Sequence, residues 1–81
     1  MPYKILLVDD EAALRELLET ILVQSGYAVC PAESCAEALR LFEKQRPDAV
    51  LLDVMLPDGD GFALFERLRA LRDAPVLFLS A

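Results

Sequence analysis

Four side chains stand where short apolar runs end, and these are the residues best suited to chemistry. Asp9 and Asp10 follow Lys4-Ile5-Leu6-Leu7-Val8, Asp53 follows Ala49-Val50-Leu51-Leu52, and Ser80 follows Val76-Leu77-Phe78-Leu79. Carboxylates gathered at one place repel one another by roughly 4 kcal/mol per pair at 4 Å and an effective dielectric of 20. A divalent cation offsets that repulsion best. Oxygen donors without histidine or thiol favour Mg²⁺ or Mn²⁺, and Mg²⁺ takes one or two carboxylates together with waters and phosphate oxygens. Beside such an ion an Asp carboxylate can act as the nucleophile toward an incoming phosphoryl group and become an acyl phosphate.

Each of these residues also has an ordinary explanation. Asp9-Asp10 fits a solvated strand end running into a helix N-cap, where the helix dipole favours an acid. Asp53 alone fits a turn, and Ser80 alone fits a turn or capping hydroxyl. Their recurrence at successive strand ends sets them apart. Asp58-Gly59-Asp60-Gly61 invites a calcium-loop reading, but with Gly61 at loop position six Leu56 falls at position one and Arg67 at position twelve, where acids are required. Cys30 and Cys35 have no histidine anywhere in the chain to join them, and their spacing fits neither a redox pair nor a zinc site. They are expected to be reduced and mostly buried thiols.

The elements that must position the acids follow from periodicity. Residues 4–8 read as a strand buried on both faces and stopped at a polar rim. Leu14, Leu17, Leu18, Ile21 and Leu22 then recur at helical spacing, with Gly26 placed for a left-handed C-cap, which predicts a first helix from about Ala12 to about Ser25. Tyr27-Ala28-Val29-Cys30 reads as a second strand closed by Pro31. Ser34 and Glu37 have capping-box spacing for a second helix, with Cys35, Ala38, Leu39 and Phe42 inward, that ends at Arg46-Pro47. Residues 49–52 read as a third strand, and Pro57 to Gly61 as turn chemistry. A third helix from Phe62 to Leu71 carries Phe62, Leu64, Phe65, Leu68 and Leu71 inward, and residues 76–79 form a fourth strand. The helical Leu and Phe stripes are expected to be core.

Strands alternating with helices predict an α/β fold: an open parallel sheet with helices on both faces and right-handed crossovers. The carboxyl ends of all strands then lie along one edge, where open sheets of this kind place their ligand sites.

The chain has 81 residues, 56% of them hydrophobic and 7% aromatic, which suits one small core of aliphatic side chains. Its net charge of −6 has the wrong sign for the basic footprint of nucleic-acid binding, so no nucleic-acid contact is expected from this segment. No apolar run approaches the ~18 residues of a membrane span, and no signal-peptide pattern opens the chain, so a cytoplasmic location without membrane contact is expected.

Val8-Asp9-Asp10, Leu52-Asp53-Val54-Met55-Leu56-Pro57, Asp58-Gly59-Asp60-Gly61 and Leu79-Ser80-Ala81 resemble, in order and spacing, the receiver domains of two-component response regulators. The resemblance covers the whole chain. It implies a flavodoxin-like receiver fold with strand order 2-1-3-4, and it matches Asp53 to the phospho-acceptor and Ser80 to the switch hydroxyl. It matches Asp10 to the acid that binds Mg²⁺ directly, Asp9 to the neighbouring acid acting through water, and the Met55 carbonyl oxygen to a third protein ligand. A histidine kinase is the implied phosphodonor. The family pattern continues after the switch hydroxyl through a helix, a strand ending in lysine and a last helix, none of which falls within these residues. Residues 1–81 are therefore expected to form a partial receiver domain. The activity implied is at most self-phosphorylation and autodephosphorylation at an Asp. The alternative is a receiver-like fragment for interaction or oligomerisation without phosphotransfer, and self-association through the fourth strand is a further expectation. A phosphatase with a second acid two residues after its nucleophile fits less well, since Met55 holds that place.

Overall fold

The computed structural model describes residues 3–79, so Ser80 lies outside the described residues. The order is β1 (Lys4–Val8), α1 (Ala12–Gln24), β2 (Ala28–Ala32), α2 (Cys35–Gln45), β3 (Ala49–Asp53), β4 (Met55–Leu56), β5 (Gly59–Asp60), α3 (Gly61–Leu71) and β6 (Val76–Leu79). An uninterrupted apolar run is stable only where both of its faces are covered. Ile5–Val8 is accordingly buried throughout, with β1 between β2 and β3 in a parallel sheet of order β2-β1-β3-β6. This is the expected 2-1-3-4 order, with β6 as the fourth long strand.

Alternation along the strands divides the apolar side chains between two faces. Leu6, Val8, Val50 and Leu52 meet Ala38 and Phe42 of α2 and Leu64 and Leu68 of α3 in one dry core. On the other face α1 is the one helix among the described residues, and an apolar hollow of about 290 Å³ runs from its Leu22 across Ile5 and Leu51 to Leu77. The apolar stripe of α1 was expected to be core. Instead Leu14, Leu17 and Ile21 are 38%, 57% and 48% exposed, because no second helix flanks α1 on that face among the described residues.

The helix ends follow their local chemistry. Gly26, at φ +96°, closes α1 with Gly26 N–H on the Val23 carbonyl and Tyr27 N–H on the Leu22 carbonyl, a Schellman arrangement that only a residue tolerant of positive φ permits at low cost. Ser34 Oγ accepts from Glu37 N–H, while the Glu37 carboxylate accepts from Glu33 N–H, one residue earlier than a strict capping box. Arg46, ahead of Pro47, takes the left-handed region at φ 49°, consistent with the pressure a proline puts on the preceding residue to leave helical geometry.

Three details differ from the sequence reading. Strand β2 runs through Pro31 to Ala32, since it is an edge strand and an imide nitrogen facing outward costs no ladder bond. Around the turn expected at Pro57 to Gly61, residues Met55 to Asp60 fold into the small antiparallel hairpin β4–β5. Helix α3 begins at Gly61, and Phe62 and Leu71 are 58% and 47% exposed rather than inward. Phe62 instead lies against Phe78 at 5.0 Å between ring centroids. Cys30 and Cys35 are free thiols, half-buried and buried as expected.

Candidate functional site

Parallel pairing aligns the ends of β1 and β3. Val8 stands opposite Leu52, so the acids that follow these two residues arrive at the same level of the sheet edge. Asp9, Asp10 and Asp53 each present a carboxylate oxygen within 4.8 Å of the others. Glu11, Leu14, Met55 and Leu79 complete the walls of an open pocket of about 280 Å³ around them. Leu79 places the end of β6 at the same edge, one residue short of Ser80.

The three acids sit in different surroundings. Asp9 is only 1% exposed, Asp53 is half-buried and Asp10 is exposed. The backbone of Asp9 is held on both sides: its N–H donates to the Ala32 carbonyl at 3.0 Å, and its own carbonyl accepts from Arg15 Nη1 at 2.8 Å. The same guanidinium lies 3.8 Å from the Glu33 carboxylate, tying α1 to the end of β2. Asp9 Oδ1 accepts from Glu11 N–H at 2.9 Å, but Oδ2 is buried without a donor among the described residues. Asp53 Oδ1 accepts from Met55 N–H at 3.3 Å.

A buried carboxylate oxygen with no donor, beside two further carboxylates, is costly unless a positive partner is present. An all-oxygen donor set of this kind fits a hard divalent cation such as Mg²⁺. Asp9, Asp10 and Asp53 are the side chains that would face it. The Met55 peptide lies beside them, its N–H on Asp53 Oδ1, and the residue is exposed at the pocket wall. The structure thus brings Asp9, Asp10 and Asp53 together, with Met55 on the wall of the same pocket.

Two contributors to this geometry escaped sequence reasoning. Arg15 supports Asp9 from six residues away, and no local pattern marks it. Gly61 N–H bonds the Val54 carbonyl at 2.6 Å, so the start of α3 abuts the end of β3. A Cβ on Gly61 would overlap the Asp53 carbonyl oxygen and lie 2.9 Å from Val54 Cα. The Gly61 signal was visible, but only as turn chemistry.

The model of the response regulator receiver domain matches residues 5–81. The chain belongs to this receiver-domain family. It is 45% identical over 78 residues to a probable transcriptional regulator ycf27 of Guillardia theta, covering 96% of this chain and 31% of that one. The non-phosphorylated HemR receiver domain of Leptospira biflexa superposes with a TM-score of 0.91 at 42% identity, covering 98% of this chain and 64% of that one. The BeF3-activated N-terminal receiver domain of Klebsiella pneumoniae RstA superposes with a TM-score of 0.89 at 30% identity, covering 96% and 69%. The chain spans about a third of the length of the curated relatives it matches. Receiver domains bind Mg²⁺ through acidic residues and interact with histidine kinases. No helix among the described residues is long and apolar enough to cross a membrane.

Replacing Gly61 with Ala is expected to lower stability by about 2 kcal/mol, since backbone atoms rather than a yielding side chain meet the new methyl. In two-dimensional NMR spectra the amide signals of Asp53, Val54 and Met55 should shift most. A stability within about 0.5 kcal/mol of the parent by urea denaturation would contradict the close approach of α3 to β3.

Proposed function

We propose that this chain is a cytoplasmic phospho-acceptor module in which Asp53 receives a phosphoryl group from the phosphohistidine of a histidine kinase. The convergence of three carboxylates within 4.8 Å carries this reading. Their environments separate their roles. Asp9 is buried with one oxygen committed to Glu11 N–H, and Asp10 is exposed at the rim. Asp53 is half-buried at the mouth, with Oδ1 held by Met55 N–H, which leaves Oδ2 to attack. As Oδ2 bonds to phosphorus, the bond from phosphorus to the donor's imidazole nitrogen breaks, and the imidazole leaves with the electron pair and takes a proton from solvent.

Asp10, Asp53 and the Met55 carbonyl would hold Mg²⁺ (or Mn²⁺), with Asp9 acting through water. Bound there, the cation supplies positive charge to the transferring group and relieves the repulsion among the acids. Ser80, the residue after Leu79, would donate its hydroxyl to a phosphoryl oxygen after transfer. That the RstA receiver domain is a BeF3-activated form supports an activation site of this kind. Residues 1–81 would correspond to the leading part of a receiver domain, consistent with coverage of 64% of the HemR receiver chain.

A second proposal concerns β6. Its ladder is paired on one side only among the described residues, Leu77 and Phe78 are 67% and 39% exposed, and no charge or proline interrupts residues 76–79. An apolar edge of this type is a template for another strand, and we infer that a second copy of the chain pairs there. Light scattering at high concentration should then report a mass above that of the monomer; a strictly monomeric mass would contradict self-association.

The phosphotransfer reading is tested by intact mass after incubation with Mg²⁺ and a small phosphodonor. A hydroxylamine-labile phosphoryl mass is expected on the parent and absent from Asp53→Asn and from an EDTA control. A folded parent that takes no label would contradict phosphotransfer and leave an interaction module in its place.

A further inference from the structure

Asp58 occupies the turn of the β4–β5 hairpin and is exposed, yet both of its carboxylate oxygens are engaged far along the chain. Oδ1 accepts from Cys35 N–H at 2.7 Å and Oδ2 from Ala36 N–H at 3.1 Å. These are the first amides of α2, two of the four that a helix start leaves without partners. The helix already has its own cap, since Ser34 Oγ takes Glu37 N–H at 3.2 Å. Asp58 therefore adds something that α2 does not itself supply: a charged link between the helix start and the hairpin.

The hairpin needs such a link. Two strands of two residues are too short to hold a shape by their own pairing. On one side Gly61 N–H fastens the chain to Val54. On the other side Asp58 fastens it to α2, which is rooted in the core through Cys35, Ala38 and Phe42. The seat is close: a Cβ on the neighbouring Gly59 would come within 3.2 Å of Cys35 Sγ. The chemistry of both partners reflects the contact. The Cys35 and Ala36 amides hold the Asp58 carboxyl below its ordinary value, while burial and then Asp58 push the Cys35 thiol up to about 11. Between the two fastenings lies Met55, whose N–H reaches Asp53 Oδ1.

We propose that Asp58 is a positioning residue for the acidic site, using its two-pronged hold on α2 to fix the hairpin and thereby the Met55 peptide beside Asp53. The inference rests on the reading of that site as a divalent-cation and phosphoryl site. Groups that orient metal ligands from behind typically contribute 10-fold or more to metal affinity. A cap that served α2 alone would affect stability and leave the metal untouched.

The test titrates the full chain with Mn²⁺ alone, following free ion by electron paramagnetic resonance, with urea denaturation run in parallel. Asp58→Ala is expected to weaken Mn²⁺ binding by about 10-fold. Ser34→Ala, which removes a cap on the same helix without touching the hairpin, should lose stability and keep the parent's affinity. Asp58→Asn keeps one acceptor for the two amides of Cys35 and Ala36 and loses the other, so it should bind at an intermediate level and also serves if Asp58→Ala does not fold. Parent-like affinity in Asp58→Ala or Asp58→Asn, or an equal loss in Ser34→Ala, would overturn the inference while leaving the acidic site intact. If the parent does not bind Mn²⁺, or binds it no more tightly than Asp10→Asn, the reading of the acidic site falls and this inference falls with it.

Discussion

Asp9 is fixed with one carboxylate oxygen buried and without a donor among the described residues, inside a group of three acids whose oxygens lie within 4.8 Å of one another. At an effective dielectric of 20, charges so close repel by roughly 3–4 kcal/mol per pair. A small protein whose whole stability is on the order of 5–15 kcal/mol keeps such a cluster only if the rest of the fold holds it or a cation relieves it. Both conditions shape this molecule. The backbone of Asp9 is clamped by Ala32 and Arg15, its Oδ1 is held by Glu11 N–H, and the residue lines a pocket together with Asp53 and Met55.

The sheet supplies the leverage. Strand β1 is buried from Ile5 to Val8 and is paired on both sides, so the position of Asp9 and Asp10 is set by the most rigid part of the structure. Strand β3 delivers Asp53 in register with it. The third component, the Met55 peptide, lies on a hairpin too short to be stable alone, and it depends on Gly61 at one end and Asp58 at the other. Rigid strands thus carry the acids, and a tethered hairpin carries the backbone group beside them. The face of the sheet opposite α2 and α3 is built differently. There α1 is the one helix among the described residues, with Leu14, Leu17 and Ile21 exposed, and its Arg15 bonds the Asp9 carbonyl.

Much of this was legible in the residues. The runs at 4–8 and 49–52 are apolar on both faces and end in acids, as doubly covered parallel strands require, so the parallel sheet and the meeting of Asp9, Asp10 and Asp53 at its carboxyl edge followed from the residues, while the strand order came from the family resemblance. The helix ends at Gly26, Ser34 and Arg46-Pro47 were equally readable, because their chemistry is local. What escaped is non-local. Pro31 looks like a strand terminator until β2 is known to be an edge. The stripe of α1 reads as core because helical period reports amphipathicity and does not report what covers the apolar side. The β4–β5 hairpin is too short for any period to show. Asp58 and Arg15 act across 22 to 23 and 6 residues, which no spacing rule reaches, and Gly61 matters through a backbone contact invisible before the chain is folded.

The central claim is that the acids at the ends of β1 and β3 form one cation site, and paramagnetic broadening by Mn²⁺ tests it most directly. Titrating sub-stoichiometric Mn²⁺ into the isotope-labelled chain should first remove the amide signals of Asp9, Asp10, Asp53, Val54 and Met55 together, with excess Mg²⁺ restoring them. Signals lost instead around other exposed acids such as Glu16, Glu19 or Glu43, or broadened uniformly across the spectrum, would contradict a specific site at this edge.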